Sequence, residues 1–284
     1  MSKLNGKTVL ITGGAQGIGL CAAREFAKAG CKLVLSDINA EALAKAAEEL
    51  RALGAEVHTR QVDVAKREQV EECARWVENE LGGLDVLVNN AGIGYSGEIA
   101  ETPIEVWQKL MAVDFWGPLY HIYAFLPAMI ARRSGQIVNV SSGQAYYRLP
   151  TWGAYATIKL AFGAMSEILH FEIKKLDIHV TTVYPFLVDT GFYKGIEGET
   201  FLQKLSMKFM PYYSMKPETV GRILFRATEK KKAVEFVNPL NLVALGTRSI
   251  PPVSDTMSLL TAHFLGKKAD ELASQLSHAN ETHG

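Results

Sequence analysis

The sequence is poor in several things, and each shortage removes a class of protein. Of 284 residues only three are cysteines, Cys21, Cys31 and Cys73. They form no C-x-x-C and fall in apolar periodic stretches, so neither a disulfide framework nor a zinc site is expected and the thiols read as small buried hydrophobes. There is no charge excess, with 30 basic against 30 acidic side chains. A dedicated nucleic-acid binder, which needs a cationic surplus to displace phosphate counterions, is thereby excluded. No apolar run is long enough for a spanning helix, and Met1 to Lys7 has no apolar stretch of the signal-peptide kind. A cytoplasmic protein, at most peripheral to a membrane, is expected. The seven histidines lack metal-ligand spacing: His121, His170 and His179 are scattered, and others sit in the polar terminus. No repeat, low-complexity tract or Pro/Ser linker divides the chain, so residues 1–284 are read as one domain.

What is present is an alternation of short apolar runs with longer amphipathic segments. Thr8 to Thr12, Lys32 to Asp37, Glu56 to Asp63, Leu84 to Ala91, Gln136 to Ser142 and His179 to Pro185 read as strands, mostly without a polar face. Such strands belong to a sheet covered on both sides. Between them, residues 40–53 and 66–81 repeat apolar side chains at helical spacing. The order predicts an α/β fold, a Rossmann-type doubly wound parallel sheet flanked by helices. Residues 188–216, rich in aromatics and Met, are read as a substrate lid, followed by a helix over 217–229, a strand over 233–238 and a helical extension over 240–284.

After the first strand comes Thr12-Gly-Gly-Ala-Gln-Gly-Ile-Gly19, opening a helix. Gly13 permits the tight turn, Gly17 lets a pyrophosphate approach the backbone, and Gly19 lets the helix pack closely; Gln16 and Ile18 lie in the same loop. Asp37 closes the second strand, where a carboxylate accepts from ribose hydroxyls and repels a 2′-phosphate, which favours NAD over NADP. Gln16 and Ile38 bring no cation for that phosphate. Asp63 and Val64 end the third strand as an adenine contact, or Asp63 is a helix cap. Asn89-Asn90-Ala91-Gly92 and Ser141-Ser142 sit at carboxyl ends of strands, where open parallel sheets bind ligands. Tyr155 and Lys159 are spaced i, i+4 at the start of a helix and therefore share a face. The Lys159 ammonium favours tyrosinate, and the pair suits proton transfer.

Together the glycine loop, Asn89 to Gly92, Ser142 thirteen residues before Tyr155, and Tyr-x-x-x-Lys resemble the short-chain dehydrogenase/reductase family over about residues 5–240. The resemblance implies that Tyr155 is the general acid/base, that Lys159 holds the nicotinamide ribose, that Ser142 rather than Ser141 orients the substrate oxygen, and that Pro185, Val188 and Thr190 grip the carboxamide. Asp114 matches the position of the family's catalytic Asn, and Phe186 replaces the usual glycine after the proline. A homodimer or homotetramer is implied by the same analogy.

Gly94, Tyr95, Gln144, Tyr147, Trp152, Phe186 and Phe192 are expected around the reacting carbon, with no Arg or Lys aimed at it. Pro185 to Phe192 and Ala124 to Met129 resemble the branch of 17β-hydroxysteroid and retinol dehydrogenases, which implies a lipophilic alcohol or ketone. Two rivals stay open: an enzyme for a smaller ketone, diketone or acyl-thioester, and an idle NAD-binding sensor or scaffold. Glu167 and Glu172 are read as solvated helix charges. Lys204, Lys208, Lys216, Arg222, Arg226, Lys230, Lys231 and Lys232 outnumber Glu218 and Glu229 between residues 204 and 232. They are read as a solvated helix face or as a weak contact with an anionic membrane.

Overall fold

The computed structural model describes residues 2–190 and 214–238, together with 245, 246, 256 and 259. Phe192, most of the expected lid, Lys204, Lys208 and nearly all of the expected C-terminal extension lie outside the described residues.

Seven strands form one sheet in the order β3-β2-β1-β4-β5-β6-β7. They are β1 (Thr8–Thr12), β2 (Lys32–Asp37), β3 (Val57–Gln61), β4 (Val86–Asn89), β5 (Gly135–Val140), β6 (Ile178–Tyr184) and β7 (Val234–Phe236), and every pairing is parallel. The strands β1 and β4 are buried throughout, because Val, Leu and Ile meet helices on both faces. The edge strand β3, Val-His-Thr-Arg-Gln, departs from the expected two-sided burial and is mostly half-buried. Its Arg60 guanidinium lies 3.6 Å from the Trp76 ring centroid, so one polar side chain is covered by stacking on an aromatic face.

The helices are α1 (Gly17–Lys28), α2 (Ala40–Ala52), α3 (Arg67–Leu81), α4 (Ile104–Met111), α5 (Gly117–Ala131), α6 (Gln144–Tyr147), α7 (Gly153–Ile173) and α8 (Pro217–Glu229). One face of the sheet packs Leu33, Leu35 and Val88 against Phe26, Leu50 and Leu224 of α1, α2 and α8; the other packs Leu10, Leu87 and Ile137 against Val77, Phe125 and Ile173 of α3, α5 and α7. The described cations of the 204–232 stretch, from Lys216 to Lys232, are all exposed, and α8 turns its apolar side onto α1.

Between α4 and α5 the backbone widens into a single π turn, Ala112–Trp116, in which the Gly117 N–H reaches the Ala112 carbonyl. Pro118 follows directly and has no N–H to give the Asp114 carbonyl four residues earlier, which removes one α-helical bond at that point. The periodicity of apolar residues is almost unchanged by such a turn, so nothing in the sequence pattern announces it.

The outer ends of the 188–216 segment, expected to be a lid, are described. Met215 donates its N–H to the Leu187 carbonyl at 2.7 Å and accepts from the Asp189 N–H at 2.9 Å, so the chain on either side of residues 190–214 is tied to itself beside β6. Among the described residues no helix is long and apolar enough to cross a membrane.

Candidate active site

Adjacent strands β1 and β4 run to their carboxyl ends and part there, one chain continuing into the glycine loop and the other into Asn90–Gly92. This divergence opens the crevice that a doubly wound sheet offers to ligands. Thr12 and Asn90 stitch its floor together. The Asn90 and Ala91 N–H groups donate to the Thr12 hydroxyl at 2.9 and 3.0 Å, and the Asn90 amide donates to the Thr12 and Gly13 carbonyls at 3.0 and 3.2 Å. Asn90 therefore holds the glycine loop while also bordering the crevice. The Thr12 hydroxyl, which the motif alone assigns no role, thus carries two backbone donors.

Gly13 and Gly17 take φ of +62° and +55°, which explains the residue type at both. A Cβ on Gly19 would lie 2.2 Å from the Gly13 carbonyl oxygen and 2.7 Å from the Asn90 amide nitrogen, so this glycine makes room for the loop itself rather than for the sheet. Helix α1 opens with Gln16 extended and no side-chain cap, so the N–H groups of its first turn are left to an anion from outside. Asp37 accepts from the Ala15 N–H at 3.3 Å and the Asn39 N–H at 3.1 Å, which fixes the carboxylate at the crevice. The cap of α2 is Asn39, so Asp37 is free of that duty. Asp63 accepts from the Ala65 N–H and does not cap α3, whose cap position is Lys66.

A cavity of about 850 Å³ joins these groups to the expected chemistry. Gly13, Gln16, Gly17, Ile18, Asp37, Ile38, Asp63 and Val64 line one part; Asn90, Ala91, Gly92, Gly94, Ser142, Tyr155, Lys159, Pro185, Val188 and Thr190 line the rest. An uncapped helix start, a fixed carboxylate and a cavity of this size fit a nicotinamide dinucleotide. Tyr95, Trp152, Phe186 and Leu187, with the polar amide of Gln144 among them, bring aromatic and apolar side chains to the wall. Tyr147 meets it through Phe186, the two rings stacked with centroids 3.9 Å apart. Lys109 of α4, an exposed residue that the sequence did not single out, also borders the cavity.

Tyr155 and Lys159 both face this cavity from the first turns of α7, each almost fully buried. The Lys159 Nζ donates to the Val140 carbonyl at 3.2 Å and lies 3.0 Å from Oδ1 of Asp114, which is 0 % exposed. That second contact is an ion pair without hydrogen-bond alignment. The other oxygen of Asp114 accepts from the Ile93 N–H at 3.2 Å. Burial pushes the Asp114 carboxyl up from the usual carboxylate range, while Lys159 and the Ile93 N–H pull it back. The two serines differ sharply in employment. Ser141 donates its hydroxyl to the Lys159 carbonyl at 2.8 Å, whereas the Ser142 hydroxyl accepts from the Gln144 N–H at 3.2 Å at the cavity wall.

Glu167 is not the solvated charge expected. It accepts from the Tyr184 hydroxyl at 2.6 Å and the Tyr146 hydroxyl at 3.4 Å, beneath a cluster of Tyr146, Tyr184 and Phe236. It thus anchors the residue just before Pro185, and its position one helical face away from the tyrosines could be found only once β6 lay on α7. His121 and His170 are buried with one ring nitrogen on a backbone carbonyl, at Gly117 and Val180. The three cysteines are free and buried, and burial pushes the thiols of Cys31 and Cys73 up to about 12 and about 11.

The short chain dehydrogenase family profile matches residues 7–199. Estradiol 17-beta-dehydrogenase 11 of Homo sapiens is 38% identical over 256 residues, covering 82% of this chain and 85% of that protein. Dehydrogenase/reductase SDR family member 7B of Bos taurus is 36% identical over 261 residues, covering 86% and 77%. Among solved structures, a short chain dehydrogenase/reductase from Burkholderia phymatum in complex with NAD superposes with a TM-score of 0.81 at 26% identity, over 88% of this chain and 95% of that one. With a fold, a nicotinamide-nucleotide crevice and a family profile all in agreement, the chain belongs to the short-chain dehydrogenase/reductase family, oxidoreductases acting on CH–OH groups.

Proposed function

We propose that the chain is an NAD-dependent oxidoreductase that interconverts a hydrophobic secondary alcohol and its ketone, with Tyr155 as the acid/base. The observation that carries this reading is the meeting of Tyr155, Lys159 and Ser142 in the same cavity as the glycine loop and Asp37. Bound NAD would supply the hydride acceptor. Its pyrophosphate would rest on the start of α1, its adenosine ribose on Asp37, and its nicotinamide end against Pro185, Val188 and Thr190.

In the oxidation direction the alcohol gives up a proton from oxygen and a hydride from carbon. Tyr155, as tyrosinate, receives the proton; Lys159 beside it favours that ionised form. The Ser142 hydroxyl, held by the Gln144 N–H, orients the substrate oxygen as it becomes a carbonyl. Tyr95, Trp152 and the Tyr147–Phe186 stack supply apolar and aromatic walls, which favours a lipophilic substrate over a small acid. The estradiol named in one relative is of that kind. Lys109 is an isolated cation at the wall, short of the basic groove that a carrier or coenzyme A thioester would call for. An intact acid/base pair speaks against an idle scaffold. A symmetric homo-oligomer through α5 and α7 is part of the same reading, since those helices leave Tyr123 67% and Phe171 75% exposed.

Replacing Tyr155 with Phe is expected to abolish turnover, by about 10²-fold or more, while NAD binding measured by fluorescence stays near the parent value. Retention of full activity would overturn the assignment. The activity itself is to be found by screening short diols, estradiol and retinol with NAD, reading NADH absorbance.

A further inference from the structure

We propose that the Asp114 carboxylate is the counter-ion of Lys159 and thereby sets the pH at which Tyr155 exchanges its proton, making Asp114 a positioning residue that acts through the lysine. The inference rests on the acid/base reading of Tyr155 given above.

Three observations support it. First, each Asp114 oxygen faces a positive partner: the Ile93 N–H donates to Oδ2 at 3.2 Å, and the Lys159 ammonium stands 3.0 Å from Oδ1 as an ion pair. An ionised carboxyl, which is acceptor-only, satisfies both sides. An Asn would turn its NH2 against one of them, and a protonated carboxyl would turn its O–H the same way. Second, space is reserved for the pair. A Cβ on Gly92 would lie 2.6 Å from Asp114 Oδ1 and 3.4 Å from Lys159 Nζ, so a side chain there would drive between carboxylate and ammonium. Third, the π turn with Pro118 behind it delivers Asp114 to the end of α7 that carries Tyr155, where Asp114 is fully buried and Lys159 almost so.

The electrostatic consequence follows in sign. An ammonium by itself stabilises tyrosinate and draws the tyrosine's titration downward; a carboxylate 3.0 Å behind that ammonium offsets much of its field at the phenol oxygen. Tyr155 therefore keeps its proton to a higher pH with Asp114 than it would with a neutral residue there. The other titratable groups around the pair are the same in the parent and in an Asp114 variant. His121 of α5 is pushed down to about 4 by burial and stays neutral above that range; Lys109 and Glu105 belong to α4, Tyr95 to the loop after β4, and Asp37 and Asp63 to the ends of β2 and β3. Among the described residues, Lys159 is the charged group that acts on Asp114.

The test uses the full chain with NAD bound and needs no substrate. Tyrosinate absorbance is followed against pH for the parent and for Tyr155→Phe, and their difference isolates Tyr155. The same pair is then measured in an Asp114→Asn background. Tyr155 is expected to titrate about one pH unit lower once the carboxylate is gone. An unmoved or upward titration overturns the proposal. If Asp114→Asn fails to fold, Asp114→Ser keeps an acceptor for the Ile93 N–H while removing the charge and is read in the same way. The two failures are distinguishable: full turnover by Tyr155→Phe sinks the acid/base reading, whereas an unmoved titration with an inactive Tyr155→Phe sinks only the role of Asp114.

Discussion

The Asp37 carboxylate owes its aim to two backbone N–H groups, from Ala15 in the glycine loop and Asn39 at the head of α2, so its charge cannot swing away from an incoming ribose. A 2′-phosphate would meet a fixed like charge with no cation from Gln16 or Ile38 to offset it. The parent is expected to favour NAD over NADP in kcat/KM, and Asp37→Ser to narrow that ratio by about tenfold, or ~1.4 kcal/mol. A strong NADP preference in the parent would contradict the argument. Single residues differ in how far the sequence reveals them. Asp37, Tyr155 and Lys159 are legible because strand ends and helical spacing fix where they go. Thr12 and Glu167 are not, since their partners, Asn90 and Tyr184, stand 78 and 17 residues away and meet them only after the sheet assembles. Lys109 escaped for the same reason: nothing local to α4 says which wall it borders.

Helices and strands were legible as periods, and their limits less so. The runs Glu56 to Asp63 and Leu84 to Ala91 shorten to Val57–Gln61 and Val86–Asn89, because their last residues leave the ladder to build the crevice. The π turn is silent in the pattern yet carries Asp114. Another element-level fact is the packing of α8 on α1. A Cβ on Gly221 would come within 2.6 Å of the Ala22 nitrogen and the Cys21 carbonyl carbon, backbone atoms of the helix whose first turn faces the cofactor site. Gly221→Ala is therefore expected to destabilise the fold by about 1–3 kcal/mol, measured by urea unfolding, because overpacking against backbone has no side chain to yield. The same substitution should weaken NAD binding by displacing α1, whereas Gly54→Ala, at a site open to solvent, should leave NAD affinity alone.

At the scale of the molecule, one outer face stands out. Tyr123 on α5 and Ile168 and Phe171 on α7, the helix that also carries Tyr155 and Lys159, are large apolar side chains left in solvent. Single exposed hydrophobes are ordinary, but several on two helices that cover the same face of the sheet suit a self-complementary interface. Phe171→Glu is expected to lower the mass seen by light scattering from an oligomer to a monomer; an unchanged oligomer would place the interface elsewhere. A last consequence concerns the tie between Met215 and the Leu187–Asp189 segment. Both backbone bonds lie outside residues 190–214, so the stretch leaves and re-enters the fold at one pair of posts. A sequence of different length or composition can join those posts with the acid/base pair undisturbed, which makes the connection an exchangeable cassette and the sheet its permanent mount.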